Sequence, residues 1–556
     1  MSDLSHLKHR SKNIGKILTG LVATAGYRPE NFNKPIINIV NTWSEWNPGH
    51  SHLRGLAEAV KRGVWMAGGF PLEYNTLSLC PGQTLPNRNM LTLETESVFL
   101  SEPADAAVYI CTCDKDVPAL LMAAARTNIP SIFVLGGTMY PGRWLGRDVV
   151  CCTDQQRADI MFRAGEISEE QYEHFYNVCF PTCGACGPLG TANTMQCMTE
   201  ALGMCLPGAA TTPAPHFMLA RNAEESGAKV VELLAKNIRP RDIMTEDAIN
   251  NAIKVLMAMG GSTNAVIHLI ALAKQLGIDL PLDRFDAISR ETPFIVNVKP
   301  SGTWAVSDLH EEGGVRTVMK QIEPLLETSV KTVTAQTLAE NLRGPRPAST
   351  DKIRTLDNPI LTEGGLAVIR GNLAPTGAII KHSAAANRAL LQHKGPAVVF
   401  ESGDEAHRVL ADRDLDLTAD HVMVLRNMGP KAACMPERGA LPLPYKVART
   451  GAQDMMRVTD CRMSGTQWGT VVLHVSPESY VGGPLAAVQT GDIVELDLEH
   501  RRLDLHVPDE EIRRRLAAYV PPAPSYDYQA GPLALWYQLC EQAEKGCVYP
   551  FMKASE

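Results

Sequence analysis

The chain has 556 residues, 45% of them hydrophobic and 21% charged, a balance that excludes a disordered chain, a collagen-like repeat or a disulfide-dense miniprotein. Its length calls for about two to four domains. The formal charge is −8, from 53 Lys plus Arg against 61 Asp plus Glu, and with no basic run the surface offers nucleic acid no electrostatic footing. No stretch reaches the roughly 18 uninterrupted apolar residues of a membrane span. Asp3 and Lys16 interrupt the short apolar patch at the N-terminus, so it does not read as a signal peptide, and the chain reads as cytoplasmic.

Up to about residue 350, short β-branched runs alternate with helical spacing. Pro35 to Val40 predicts a buried strand, followed by the polar loop Asn41 to Pro48 and a helix over His52 to Val64. Ala106 to Ile110 predicts a second strand, which runs into the loop CTCDKD. A helix over Val117 to Arg126 and a strand over Ser131 to Leu135 complete a βαβ unit. Parallel strands with covering helices follow, and ligands of such sheets bind beyond the carboxyl ends of the strands. Residues 190 to 290 read as mostly helical, and Asn341 to Thr350 as a Pro- and Arg-rich linker. Beyond it, GGLAVIRG, PAVVFES, HVMVLRN and GTVVLHVS are short β runs, and DIVELDLEHRRLDLHV alternates on both sides of a turn as a hairpin does. The expected architecture is an α/β N-terminal domain with a parallel sheet, residues 1–350, and a β-rich, barrel-like C-terminal domain, residues 351–556.

Fourteen cysteines are too sparse for a disulfide scaffold in a chain of this length. Cys151, Cys152, Cys179, Cys197, Cys205, Cys540 and Cys547 read as small apolar packing residues. Cys80, the pair Cys111 and Cys113, and the pair Cys183 and Cys186 sit in tight groups beside Gly, Pro and acidic residues, which invites a metal reading. Cys113-Asp114-Lys115 joins a soft ligand, a hard ligand and an amine at a strand end; alone, such a tripeptide is as readily a solvated loop. Cys186 precedes a helix, whose N-terminus favours the thiolate, and no second C-x-x-C stands at zinc-ribbon spacing. Met435-Pro436-Glu437 and Arg462 to Thr466 read as ordinary loops by composition, and no G-x-S-x-G elbow is present.

Taken together, CDK before a helix, CGxxGTANTM, VLRNMGPxxxxMPE, RMSGTxxGTVVLHVSPE and GGPLAxVxxGDIVELD occur here in one order. In these motifs the chain resembles the dihydroxy-acid dehydratase/phosphogluconate dehydratase family over nearly its whole length. NTWSEWNPGHSHLRGLAEAVKRGV and RMSGTQWGTVVLHVSPE are more similar to its sugar-acid (aldonic acid) branch than to the branched-chain enzyme. The resemblance implies a hydro-lyase that converts a 2,3-dihydroxy acid to a 2-keto-3-deoxy acid. It implies an iron–sulfur cluster, expected as 2Fe-2S, on Cys113, Cys186 and a third thiol. It also implies Mg2+ on Asp114, Glu437 and a carbamylated Lys115. Ser464 is the implied base, Lys115 shares the catalytic role, and Thr466 and His52 are placed at the substrate. The implied partner is a small-molecule sugar acid, and the implied assembly a homodimer or homotetramer.

Two positions depart from the family pattern. Where the family has Pro-Cys-x-x-His, this chain reads Pro48-Gly49-His50-Ser51-His52, so a glycine replaces the first cluster cysteine. In SLCPGQT, Pro81 takes the slot of a magnesium-binding carboxylate. Cys80, Cys111, Cys183, Cys434 and Cys461 are then the candidates for the third thiolate, with Cys80 the first of them. The alternatives are a branched-chain dihydroxy-acid dehydratase, a cluster-free enzyme using a divalent metal, and a non-catalytic relative that binds sugar acids. Asp114, Lys115, Glu437 and Ser464 together favour a working site.

Overall fold

A computed structural model describes residue 20 and residues 22–80, 85–102 and 104–554. Pro81 and most of the N-terminal apolar patch lie outside the described residues. The first sheet is built from Ile36–Asn41 (β1), Phe70–Asn75 (β2), Ala106–Cys111 (β3) and Ser131–Leu135 (β4). All its pairings are parallel, in the order β2-β1-β3-β4. β1, β3 and β4 are buried along their whole length, as strands covered by helices on both faces must be, and their continuous Val/Ile/Ala content follows from that. β2 sits at the edge, where Pro71 is tolerated because one side of the strand needs no ladder partner.

The connecting helices are Leu53–Met66 (α1), Pro86–Ser101 (α2) and Asp116–Thr127 (α3). A small hairpin, Gly142–Trp144 (β5) with Arg147–Val149 (β6), leads to the helix Thr153–Ala164 (α4). The helical layer that follows includes Thr191–Ala201 (α5) and Asn264–Leu276 (α6). Because β1 is flanked by β2 on one side and β3 on the other, the chain leaves β1 in both directions. That reversal opens a crevice between the loops after β1 and β3, the usual ligand position in an open parallel sheet.

The second sheet has eight strands: Ala367–Ile369 (β7), Gly377–Ile380 (β8), Gln392–Phe400 (β9), Val422–Leu425 (β10), Arg457–Thr459 (β11), Val471–Ser476 (β12), Ile493–Asp497 (β13) and Arg502–Leu505 (β14). Their order is β14-β13-β9-β10-β11-β12-β8-β7. β9 to β12 run parallel and the flanking strands antiparallel. The edges meet where Leu503 N donates to Arg370 O at 2.8 Å and Arg370 N to Arg501 O at 2.9 Å, so the sheet is nearly closed, and its interior is an apolar core of Ile369, Val424, Val458, Val472, Leu496 and Leu503. The expected architecture of both units is present. The chain end returns to the first unit: fully buried Arg88 of α2 donates to the carbonyls of Gly546 and Cys547, both at 2.8 Å.

The barrel unit buries several side-chain groups without a hydrogen-bond partner among the described residues, one of them a lysine. Lys381, directly after β8, is 2% exposed, and its amine has no hydrogen-bond partner among the described residues. Burial alone lowers its pKa to about 7. Between about pH 7 and the ordinary amine value of 10.5 the unfolded chain holds a proton that the folded chain lacks. Stability therefore rises with pH through that window, by up to about 1.4 kcal/mol per pH unit from this group, and the full penalty applies below it. Lys381→Met is expected to raise the thermal unfolding midpoint by a few degrees at pH 7 and to flatten the rise in stability between pH 7 and 10. Chemical denaturation of both proteins across that range is the check.

Candidate active site

The crevice of the parallel sheet faces the loops that leave β10 and β11, so carboxyl ends of parallel strands meet from both units. Between them lies a cavity of about 310 Å³. Its first wall holds Asn47 and Gly49 from the loop after β1, and Cys113 and Asp114 from the loop after β3. Its second wall holds Cys152, Cys186 and Thr191, and the barrel contributes Glu437, Ser464 and Thr466.

One end of the cavity concentrates charge. Lys115 is 2% exposed, and its amine stands 3.2 and 3.3 Å from the two oxygens of Asp114. Glu437 accepts from Asn264 Nδ2 at 2.6 Å and from Arg462 Nη1 at 3.0 Å. Burial first, and then the neighbouring charge of Asp114, push the Glu437 carboxyl up to about 7, against the opposing pull of Arg462 and Lys115. Two carboxylates pressed together beside one amine form a hard, anionic donor set of the kind that a divalent cation neutralises.

A neutral hydroxyl pair lies next to this charged group, joined to it through Asn264, which bonds both Glu437 and the Met463 carbonyl. Ser464 and Thr466 hydroxyls stand 2.6 Å apart, and the backbone N–H of Thr466 points back to Ser464 Oγ at 3.5 Å. This turn is pressed onto the helical layer. A Cβ on Gly465 would fall 2.5 Å from Ser262 Cβ and 3.0 Å from Thr191 N, so only a residue without a side chain allows the approach. Gly190 opens α5 with no side-chain cap, and Gly190, Thr191 and Ala192 line the cavity. The partial positive charge of that helix end therefore meets the space where an anionic group would rest.

Thiols form the remaining wall. The sulfurs of Cys151, Cys152 and Cys186 all lie within 4.8 Å of one another. Cys152 is the thiol of lowest pKa, held well below the ordinary value by hydrogen bonds from Cys151 and Cys186 and also from Thr466, against burial. Cys151 and Cys186 are raised in turn. Across the cavity Cys80 pairs with Cys113 and, with burial, raises that thiol well above its usual value. The loop bearing Cys80 is held by Asp116, which accepts from Leu79 N at 3.0 Å and stands 2.8 Å from His50 Nε2.

The structure thus brings Cys113, Asp114, Cys186, Glu437, Ser464, Thr466 and Cys80 to one cavity, with Lys115 directly behind Asp114. His52 stands apart from it. Its Nε2 bonds Gly136 O at 2.7 Å, and burial, partly offset by that bond, lowers its pKa. Cys111, Cys434 and Cys461 are fully buried in core clusters, and Cys183 lies off the cavity wall. The packing reading holds for Cys179, Cys197, Cys205, Cys540 and Cys547, which are buried in apolar clusters. It fails for Cys152, which lines the cavity, and is incomplete for Cys151, which is buried but bonded to the two cavity thiols. A doubled cysteine just ahead of a helix start was the available signal, but nothing local shows that it faces Cys186.

Comparison with known proteins places the whole chain in one family. The dihydroxy-acid/6-phosphogluconate dehydratase N-terminal profile matches residues 34–341, and the C-terminal profile of the same family matches residues 351–547. A 6-deoxy-6-sulfo-D-gluconate dehydratase of Pseudomonas putida is 43% identical over 540 residues, 96% of this chain and 93% of its own. An L-arabinonate dehydratase of Rhizobium leguminosarum bv. trifolii is 41% identical over 543 residues, again 96% and 93%. A dihydroxy-acid dehydratase of Moorella thermoacetica is 40% identical over 539 residues, 95% of this chain and 97% of its own. With both halves matched and relatives of this similarity along nearly its full length, the chain belongs to the dihydroxy-acid/6-phosphogluconate dehydratase family.

Proposed function

We propose that this protein is a hydro-lyase that dehydrates a sugar acid, a 2,3-dihydroxy carboxylate, to a 2-keto-3-deoxy acid. The observation that carries the reading is the convergence in one cavity of a hydroxyl pair, a carboxylate–amine group and a wall of thiols, drawn from both units. The sulfogluconate and arabinonate dehydratases among its relatives support a polyhydroxylated substrate, and the dihydroxy-acid dehydratases among them fit the branched-chain alternative.

The residues fit the cofactors that the family implies. Asp114 and Glu437, with Lys115 beside them, suit Mg2+, because their mutual repulsion is what a hard cation relieves. Cys113 and Cys186 suit an iron–sulfur group, since soft thiolates select iron or zinc over magnesium. When bound, these groups supply Lewis acidity at the departing hydroxyl and at the carboxylate end of the substrate. The chain itself does the rest. Ser464, as the alkoxide that a bound cation would stabilise, would take the proton from C2 and pass it to the departing hydroxyl, which leaves as water, while Thr466, at 2.6 Å, orients the serine oxygen. The helix end at Gly190 to Ala192 faces the negative charge that builds on the carboxylate as that proton leaves. Arg462 and Asn264 hold Glu437 in place while this happens.

The test is a panel of aldonic and branched-chain dihydroxy acids, with anaerobically metal-loaded protein and an assay for 2-keto acid. Turnover of aldonic acids is expected, and no turnover of any substrate would overturn the reading. Ser464→Ala should lower kcat by about 10²–10⁴-fold with an unchanged unfolding midpoint. Gly465→Ala should keep the circular dichroism spectrum but lower kcat by about 10²-fold, because it lifts Ser464 and Thr466 off the helical layer. Adding Ser262→Gly to that variant should restore part of the rate. We further propose the homodimer or homotetramer that the resemblance implies. Light scattering that reports a monodisperse monomer of 60.5 kDa would contradict it.

A further inference from the structure

We propose that Cys152 is a ligand of the iron–sulfur group, acting with Cys186 beside it and Cys113 across the cavity, and that it supplies the thiolate which Gly49 cannot. The assignment rests on the dehydratase reading above and names the ligands of that same site.

Three observations carry it. The first is distance: Cys152, Cys186 and Cys151 sulfurs lie within 4.8 Å of one another. Two thiolates on one tetrahedral metal, each at about 2.3 Å, stand about 3.8 Å apart, so small side-chain shifts bring this group to ligating geometry. Cys151 is fully buried in an apolar cluster and supports the pair from behind.

The second observation is backbone strain. Cys152 has φ 60° and ψ −57°, a conformation in which glycine would be at ease and an L side chain is not. The surroundings hold it there. Trp468 Nε1 donates to Thr153 O at 3.2 Å, and Gln156 exchanges two bonds with the Trp468 backbone, at 3.0 and 3.1 Å. Thr153 Oγ1 also donates to Thr466 O. A strained position fixed from the barrel, carrying a thiol into the cavity, is the pattern of a residue kept for its side chain.

The third observation is the state of Gly49. Asn47 occupies its surroundings: Oδ1 accepts from Gly49 N at 2.9 Å, and Nδ2 is 3.6 Å from Cys113 Sγ. A Cβ on Gly49 would fall 2.8 Å from Cys113 Sγ and 3.2 Å from Asn47 Oδ1. This side of the cavity leaves no free space for a cysteine side chain at Gly49, while the wall formed by Cys186 also carries Cys152.

The test is anaerobic reconstitution of the full chain with iron and sulfide, read by iron and acid-labile sulfide per chain, by the visible absorption spectrum and by the rate of iron loss to a chelator. The wild type is expected to take up iron and sulfide. Cys152→Ser and Cys152→Gly are both expected to lose iron more than about a hundred-fold faster, beyond the roughly 10–100-fold effect of removing a ligand's supporting partner. Glycine suits the backbone at this position, so apo Cys152→Gly should unfold at the same or a higher temperature than the apo wild type, which separates ligand loss from misfolding. Cys80→Ser should keep the wild-type iron content and spectrum. The assignment is overturned by wild-type iron in both Cys152 variants, by loss of iron in Cys80→Ser alone, or by a wild type that takes up no iron. Iron that depends on Cys152 in a protein that turns over no dihydroxy acid would leave this assignment standing and remove the sugar-acid reading. Turnover with iron independent of Cys152 would do the reverse.

Discussion

The Glu437 carboxylate is buried at the junction of the two units and held there by Asn264 from α6 and Arg462 from the barrel. Taking a carboxylate out of water is costly unless charge and hydrogen bonds replace the lost solvation. Asn264 does more than donate once: its amide also reaches Thr191 Oγ1 at 3.0 Å and Met463 O at 3.2 Å. One side chain thus ties the start of α5, the loop before Ser464 and Glu437 into a single bonded unit. The relative position of the charged and hydroxyl groups of the cavity depends on it.

Around that junction the architecture repeats one device. Loops leave the carboxyl ends of parallel strands in both units, β1 and β3 on one side and β10 and β11 on the other, and the two sets face each other. Strand ends are rigid, so short loops on them hold side chains to a small positional error. The close approach of Gly465 to Ser262 and of Gly190 to Thr466 removes the gap that water would otherwise fill. Electrostatic interactions in a space of about 310 Å³ enclosed in this way are stronger than at a surface.

The thiol wall shows how a site can shift while its neighbours stay in place. Asp114, Glu437, Ser464 and Thr466 line the same cavity, with Lys115 behind Asp114, while Gly49 brings no thiol to it and Cys152 does. Backbone strain at Cys152 is borne by the Trp468 contacts, which come from the barrel. Stability of the strained turn and closure of the two units are therefore coupled.

Much of this protein is legible in the linear chain. Val- and Ile-rich runs that end abruptly in polar loops mark β1, β3 and β4, because a strand buried on both faces is mostly apolar, with Asn38, Asn41 and Ser131 the buried polar exceptions. The alternation around the turn at His500 marks β13 and β14, because one face of that hairpin is wet. The motif set around Cys113, Cys186, Glu437 and Ser464 identifies the family, since so many residues in one order do not recur by composition. Edge strand β2 left little trace, as Pro71 and Glu73 carry no β-branched signal. What only the tertiary structure decided is which distant side chains share a space. Cys152 reads as packing because its neighbour Cys186 is brought to it by the two helices between them, Thr153–Ala164 and Glu169–Val178, and Cys80 is separated from the other candidate thiols only by where the core closes. His52 reads as a site residue until its ring is seen bonded to Gly136 O. Local propensity and patterning depend on neighbours a few residues away and are written in the chain. Coordination, burial and charge compensation depend on contacts across the fold, and those exist only once the two units have closed on each other.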